Sequence, residues 1–200
     1  HILKETVFKV FNEFTGYMPK WGMITGVRPA KTASELSAEG MSDKDILEYF
    51  KKRFYVSDKK ALLALNVSKA EREILASNTD KDLSVYIGIP FCPTRCLYCS
   101  FTSYPIDRYA KKADEYIEYL ARELDFVKES IKGRNLRSVY IGGGTPTSLG
   151  DEQFKRFMEI VAERFDISGT DEFTVEAGRP DTITEGKLKA MAEAKVSRIS

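Results

Sequence analysis

Apolar residues recur at helical spacing in the first part of the chain. Between residues 43 and 54 they fall three or four positions apart, at Ile46, Leu47, Phe50 and Phe54. This spacing predicts an amphipathic helix, with Ser42 or Asp43 capping its amino end. A similar stripe of apolar residues predicts a second helix over residues 57–75.

Two stretches interrupt the helical pattern. Residues 20–31 contain three residues that break helices: Gly22, Gly26 and Pro29. This composition predicts a structural turn, with contact to a partner or substrate as the alternative. The polar run at residues 77–82 predicts a hinge. We therefore expect a mostly helical segment over residues 1–80 and a second domain over residues 81–200.

From residue 83 onward, short apolar runs alternate with amphipathic stretches. The runs of strand type cover residues 83–89, 137–141, 172–176 and 196–200. The stretches of helix type cover residues 109–131, 151–165 and 184–194. Strands that alternate with helices predict βαβ units and a parallel sheet. Because a closed barrel needs more strands, we expect the chain to stop partway through an α/β barrel or an open α/β sheet.

The overall composition narrows the functional class. The 31 Lys and Arg residues balance 30 Asp and Glu residues to a formal net charge of +1, which gives no sign of nucleic-acid binding. No stretch approaches the roughly 18 consecutive apolar residues of a membrane span, and the first residues lack the features of a signal peptide. All three cysteines lie within eight residues, which favours a metal or redox site in the cytoplasm over disulfides.

The chemically unusual residues directly follow the first three predicted strands. Their loops read PFCPTRCLYCSF at residues 90–101, GGGTPTSLG at residues 142–150 and AGRPDT at residues 177–182. In parallel α/β folds the carboxyl ends of the strands meet at one edge, and functional groups gather there. We therefore expect the three loops to form one site.

The first loop carries Cys92, Cys96 and Cys99, separated by three and two residues. Three soft thiolates on a short loop suit an iron–sulfur cluster, and three ligands on a four-iron cluster leave one iron open to a small molecule. Zinc is an alternative, but a structural zinc takes four protein ligands, and the only histidine, His1, is distant in sequence. Three structural cysteines are the remaining alternative.

The second and third loops offer backbone and carboxylate contacts. Three consecutive glycines, Gly142 to Gly144, let the backbone approach a ligand and accept from an ammonium group, with a simple tight turn as the alternative. The loop lacks the Lys of a phosphate-binding loop and the spacing of a dinucleotide-binding loop. Glu176, at the end of the third predicted strand, can pair with an amine or hold a hydroxyl group, unless it is simply solvated.

These motifs resemble those of the radical S-adenosylmethionine (SAM) enzymes. The resemblance rests on the Cys-x3-Cys-x2-Cys spacing and on an aromatic residue, Tyr98, before the third cysteine. The lead-in YIGIPFC, from Tyr86 to Cys92, and the sequence GGGTPT are similar to the oxygen-independent coproporphyrinogen III oxidase family. The sequences WGMITGVRPAK and EAGRPDTI resemble the HemZ-type subgroup of that family.

The resemblance implies a [4Fe-4S] cluster on the three cysteines, with SAM bound at the open iron. The positions that match the family's SAM contacts are Tyr86, Tyr98, Gly143, Gly144, Thr145 and Glu176. The implied fold is a partial (β/α) TIM-like barrel of radical SAM type. The implied reaction is oxidative decarboxylation of coproporphyrinogen III propionates to vinyls in haem biosynthesis, with an electron donor for the cluster as partner. Because the reacting radical comes from SAM, no side chain is assigned as catalytic.

Two positions depart from the family's pattern and keep other activities open. Gly88 stands where the family commonly has His, and Phe101 stands where the oxidases carry a further cysteine. The ending with Phe101 also resembles haem-chaperone relatives. The alternatives are therefore a haem-binding chaperone and another radical SAM enzyme that modifies a tetrapyrrole.

Overall fold

The computed structural model describes residues 2–26 and 28–200. His1, considered above as a zinc ligand, and Val27, part of the WGMITGVRPAK motif, lie outside the described residues. The chain divides into two compact units after Asn78. Within the described ranges, no helix is long and apolar enough to cross a membrane.

The described residues of the first unit are mostly helical. Its helices are α1 (Ile2–Thr15), α2 (Pro29–Ala38), α3 (Asp43–Phe54) and α4 (Asp58–Leu75). The helix predicted over residues 43–54 is confirmed as α3, and the Ser42 hydroxyl accepts from the Asp45 amide at its amino end. The apolar face of α3 places Ile46 and Phe50, both fully buried, in a core shared with α2 and α4, as expected of an amphipathic helix.

The turn predicted over residues 20–31 ends earlier in the structure, before Pro29. Pro29 begins α2 instead of breaking a helix, because the first helical position needs no backbone donor and favours the fixed φ of proline. Gly22 does require a turn: its φ is +56°, and a Cβ there would lie 1.9 Å from the Phe54 carbonyl oxygen. The tight approach of Gly22 to the end of α3 therefore fixes this turn.

The second unit has the alternating strands and helices that the sequence predicts. Its strands are β1 (Asp82–Ile89), β2 (Phe91–Cys92), β3 (Tyr104–Pro105), β4 (Asn135–Gly143), β5 (Glu172–Val175) and β6 (Arg198–Ile199). Its helices are α5 (Ile106–Ser130), α6 (Asp151–Arg164) and α7 (Glu185–Glu193). The strands β1, β4, β5 and β6 pair in that order, each parallel to the next. The predicted α/β class with a parallel sheet is confirmed.

The strand boundaries differ from the predicted ones by one or two residues. The last strand covers Arg198–Ile199 and not residues 196–200. Glu176 lies one residue beyond β5, where its backbone N–H still donates to the Ile141 carbonyl at 2.9 Å. Glu176 therefore belongs to the loop, with its backbone anchored to β4.

The two faces of the parallel sheet differ in chemistry. Val85, Ile87 and Ile89 of β1 are buried in a core with the apolar faces of α5, α6 and α7. Alternate residues point to the opposite face, where Tyr86 pairs in register with Tyr140 of β4. The helices therefore cover one face, and the other carries the polar and aromatic residues that lead to the predicted site.

Candidate functional site

Backbone hydrogen bonds join the cysteine loop (residues 90–101) to the glycine loop (residues 142–145). The Gly144 N–H donates to the Ile89 carbonyl at 2.8 Å, and the Thr145 N–H donates to the Phe91 carbonyl at 2.7 Å. These bonds continue the pairing of β1 and β4 beyond the strand ends. They place Cys92, the residue after Phe91, beside the glycine loop, as predicted from the strand order.

The Cys92 side chain packs against the glycine loop. Its Sγ lies 3.3 Å from Thr145 Oγ1. A Cβ on Gly144 would lie 3.0 Å from that sulfur and 2.5 Å from the Phe91 carbonyl oxygen. Gly144 is thus required by close packing against the first cysteine, a reason distinct from the ligand contact predicted for it.

The other two cysteines lie on an irregular turn. The Cys99 N–H donates to the Cys96 carbonyl at 3.0 Å, and all three thiols are free and partly exposed. Between them, Tyr98 is 90% exposed. Across residues 2–26 and 28–200, no three Cys, His, Asp or Glu side chains are grouped closely enough to hold a metal ion.

This loop nevertheless fits a metal cluster in its chemistry. It offers three thiols, the donors that iron–sulfur clusters use: Cys92 ends β2, and Cys96 and Cys99 follow on the irregular segment before β3. Cys92 is backed by Gly144, whose missing side chain leaves room at the sulfur. The donor type and the open space at Cys92 therefore fit a cluster at this loop.

A cavity of about 480 Å³ opens next to the glycine loop. It is lined by Tyr86, Gly88, Ile89, Pro90, Phe101, Thr102, Tyr116, Gly143 and Glu176. Three of the predicted SAM-contact residues, Tyr86, Gly143 and Glu176, thus share one cavity. Its mixture of aromatic, apolar and carboxylate groups is typical of a small-molecule site.

Glu176 is held over the glycine loop by a tyrosine. The Tyr140 hydroxyl donates to Glu176 Oε1 at 2.7 Å, and this bond is the main cause that raises the pKa of Tyr140 to about 12. A Cβ on Gly142 would lie 2.9 Å from the Glu176 carboxylate. The first glycine of the loop therefore makes room for the carboxylate.

Two further tyrosines shape the cavity. Tyr86 stacks on Tyr140 with ring centroids 5.9 Å apart, and burial, followed by the Glu176 charge, raises the pKa of Tyr86. Tyr116 of α5 donates to the Gly88 carbonyl, and burial is the main cause that raises its pKa. Both phenols therefore stay protonated at neutral pH.

The sequence analysis missed Tyr140 and Tyr116. Tyr140 lies two residues before Gly142, on the same sheet face, and it pairs in register with Tyr86. That alternation is visible in the sequence, but the register of parallel strands is not, so the pairing could not be predicted. Tyr116 lies within the apolar stripe of α5, where spacing alone suggests a core residue.

A buried lysine ties together the two turns that follow β4 and β5. Lys187 of α7, only 7% exposed, donates to the Thr147 carbonyl at 2.8 Å and the Thr182 carbonyl at 2.9 Å. The hydroxyls of Thr147 and Thr182 also lie 2.6 Å apart. Because Thr147 follows the glycine loop and Thr182 follows Glu176, this contact fixes the relative position of the two loops.

Replacing Lys187 with Met is expected to lower the free energy of unfolding by about 2–4 kcal/mol, since two buried carbonyls lose a charged donor. The matched control is Lys189→Met, two residues along α7, because Lys189 is 70% exposed and pairs with Glu185. The control is expected to change stability by less than about 0.5 kcal/mol. Urea unfolding measures both, and equal midpoints for the two variants would contradict the role given to Lys187.

A family model and two curated proteins are similar in sequence to this chain. Residues 86–200 match the model of the Radical SAM superfamily. Over 93% of its length, the chain is 37% identical to the oxygen-independent coproporphyrinogen-III oxidase-like protein HemZ of Bacillus subtilis (strain 168). Over 58% of its length, it is 41% identical to the heme chaperone HemW of the same strain.

A solved structure supports the fold. Coproporphyrinogen III oxidase (HemN) from Escherichia coli, described as a radical SAM enzyme, superposes with a TM-score of 0.51 and 28% identity over 66% of this chain. This match supports the α/β fold with a parallel sheet. The chain spans between 30% and 38% of the length of these three proteins.

Proposed function

The chain belongs to the radical SAM superfamily, and we propose that Cys92, Cys96 and Cys99 hold its iron–sulfur cluster next to a SAM site. Proteins of this superfamily use a [4Fe-4S] cluster and SAM as cofactors. The proposal is supported by the three thiols on one loop and by the contact of Cys92 with the glycine loop.

SAM is proposed to occupy the cavity beside the glycine loop. Glu176 would pair with the amino group of SAM, which is a charge-assisted contact. Gly143 and Gly144 would offer backbone groups, and Thr145 a hydroxyl group. Tyr86 would pack on the ligand from the cavity wall, while Tyr98, now exposed, would reach it only by movement of the loop.

The cofactors supply the difficult chemistry when they are bound, namely an electron and the abstraction of a hydrogen atom. The protein's own residues would bind SAM and orient it in the cavity. Tyr140 holds the Glu176 carboxylate, and Tyr116 holds the Gly88 carbonyl at the cavity wall.

Tyr140→Phe is expected to weaken SAM binding about fivefold, equivalent to about 1 kcal/mol, because Glu176 loses its hydrogen-bond donor. Since the pKa of Tyr140 is about 12, its hydroxyl stays protonated at neutral pH. The loss of SAM affinity in the variant should therefore be the same from about pH 7 to 9. Anaerobic titration calorimetry on the cluster-loaded protein measures the dissociation constant. The control is Tyr119→Phe on the exposed face of α5; equal affinities in the two variants would contradict the role of Tyr140.

The proposed activity is oxidative decarboxylation of coproporphyrinogen III. Each of two propionates would lose its carboxylate as CO₂ and a hydrogen atom from its β-carbon, and one further electron would pass to an acceptor, leaving a vinyl group. The observation that carries this proposal is the 37% identity to HemZ over 93% of the chain.

A haem chaperone is the second candidate, favoured by the 41% identity to HemW. Phe101 adds to it, because this apolar residue lines the cavity where the oxidases carry a cysteine. In this case the cluster site would be retained, and haem would be bound without decarboxylation. The cytoplasmic location stays a prediction in both cases.

One anaerobic experiment separates the two candidates. The reduced, cluster-loaded protein is supplied with SAM and coproporphyrinogen III, and protoporphyrinogen and CO₂ are measured. Formation of both supports the oxidase. A parallel sample is given haem, and the bound haem is measured. Stoichiometric haem binding there, with no CO₂ released from coproporphyrinogen III, would favour the chaperone and contradict the decarboxylase.

A further inference from the structure

An arginine from the third loop contacts the cysteine loop. Arg179 Nη1 donates to Thr94 Oγ1 at 3.0 Å, across 85 residues of sequence. Thr94 lies midway between Cys92 and Cys96. A positive charge is therefore attached to the segment that carries two of the three thiols.

Asp181 holds this arginine in one orientation. Arg179 donates from Nε to Asp181 Oδ1 at 3.0 Å and from Nη2 to Oδ2 at 2.8 Å. This two-point contact fixes the plane of the guanidinium group and leaves Nη1 directed at Thr94. Lysine could not reproduce it, because an ammonium group lacks the planar fork.

The electrostatic surroundings agree with this geometry. The hydrogen bond to Asp181 is the main cause that raises the pKa of Arg179, and Cys96 and Cys92 add smaller contributions of the same sign. The Asp181 carboxylate offsets part of the Arg179 charge, but the guanidinium is the group that faces the cysteine loop, with Nη1 on Thr94, and its side chain is only 29% exposed.

We propose that Arg179 is a positioning residue that holds a positive charge beside the cluster and raises the cluster's midpoint potential. The inference rests on the proposed cluster site at Cys92, Cys96 and Cys99. Reduction adds one negative charge to a cluster already held by thiolates, and a nearby cation stabilises that added charge. Net charge and hydrogen bonds around a cluster are established determinants of its potential.

A purely structural contact would act differently. If Arg179 only fastened the two loops together, its loss would change stability and loading but leave the midpoint potential of the loaded protein unaltered. The potential is therefore the measurement that distinguishes an electrostatic role from a mechanical one.

The test is a redox titration of the anaerobically loaded protein, in which electron paramagnetic resonance (EPR) measures the reduced cluster at each potential. Arg179→Gln removes the charge, and its equilibrium constant for one-electron reduction is expected to fall about tenfold, a shift of about 59 mV to more negative potential. Arg179→Lys keeps the charge without the fork, so a smaller shift is expected. The control is Arg156→Gln on α6, where Arg156 pairs with Glu118; it is expected to leave the potential unchanged.

Equal midpoints for the wild-type protein and Arg179→Gln would overturn this inference alone. Should Arg179→Gln load no cluster, Arg179→Lys decides, because its charge is no longer held by the two-point contact with Asp181. A negative shift in Arg179→Lys supports the inference, and an unchanged midpoint overturns it. Absence of a four-iron cluster from the wild-type protein would overturn both the proposed function and this inference.

Discussion

Cys96→Ala protein is expected to lose its cluster and to form no 5′-deoxyadenosine from SAM under reducing conditions. Cys96 is the middle one of the three thiols and lies on the irregular segment after β2, and no other Cys or His in the described residues could replace it. Changes around a metal ligand already cost about 10- to 100-fold in affinity, so loss of a ligand should lower the affinity for the cluster by at least that factor.

Iron and sulfide analysis after anaerobic loading measures the first effect, and chromatography of the SAM products measures the second. Ser100→Ala is the matched control, because Ser100 is an exposed residue of the same loop without a thiol. The control should load about four irons per chain and cleave SAM. Normal iron content in Cys96→Ala would contradict the assignment of Cys96 as a ligand.

Gly144→Ala is expected to lower the free energy of unfolding by about 2 kcal/mol and to impair cluster loading. The added Cβ would lie 2.5 Å from the Phe91 carbonyl oxygen and 3.0 Å from Cys92 Sγ. The first neighbour is backbone and cannot turn aside, so the two loops must move apart. That movement would also break the hydrogen bond from the Gly144 N–H to the Ile89 carbonyl.

Gly178→Ala provides the matched control for this substitution. Gly178 lies in the loop after Glu176, and a Cβ there meets no atom within 4 Å. Its effect on stability should stay within about 0.5 kcal/mol. Urea unfolding and iron analysis measure both variants; a Gly144→Ala protein that matches the control in stability and iron content would contradict the close packing of the two loops.

Much of the second unit could be predicted because its strands are buried on one face. Val85, Ile87 and Ile89 alternate with less apolar residues, and this alternation indicates a strand directly. The parallel arrangement followed from the helices between strands. The gathering of the three loops at one edge followed from the parallel arrangement.

Features set by register or by local chemistry could not be predicted in the same way. The β2–β3 pair contains two residues per strand, too few for a periodic signal. The sequence analysis predicts a helix breaker at Pro29, although proline is also favoured at the first position of a helix. In both cases, structure outside a short window decides the outcome.

The candidate site was predicted in its parts but not in its internal contacts. Cys92, Gly144 and Thr145 meet as expected, and Glu176 shares a cavity with Tyr86. The Tyr140–Glu176 and Lys187–Thr147 contacts depend on side-chain directions from separate elements. A single sequence carries no record of such directions, so these partners required the structure.

The central claim is that the three cysteines hold a four-iron cluster whose open iron binds SAM. Electron paramagnetic resonance of the reduced, cluster-loaded protein, recorded with and without SAM, tests it most directly. Because SAM would bind the iron that lacks a cysteine ligand, we predict a cluster signal whose shape changes when SAM is added. A cluster signal that is identical with and without SAM would contradict the claim.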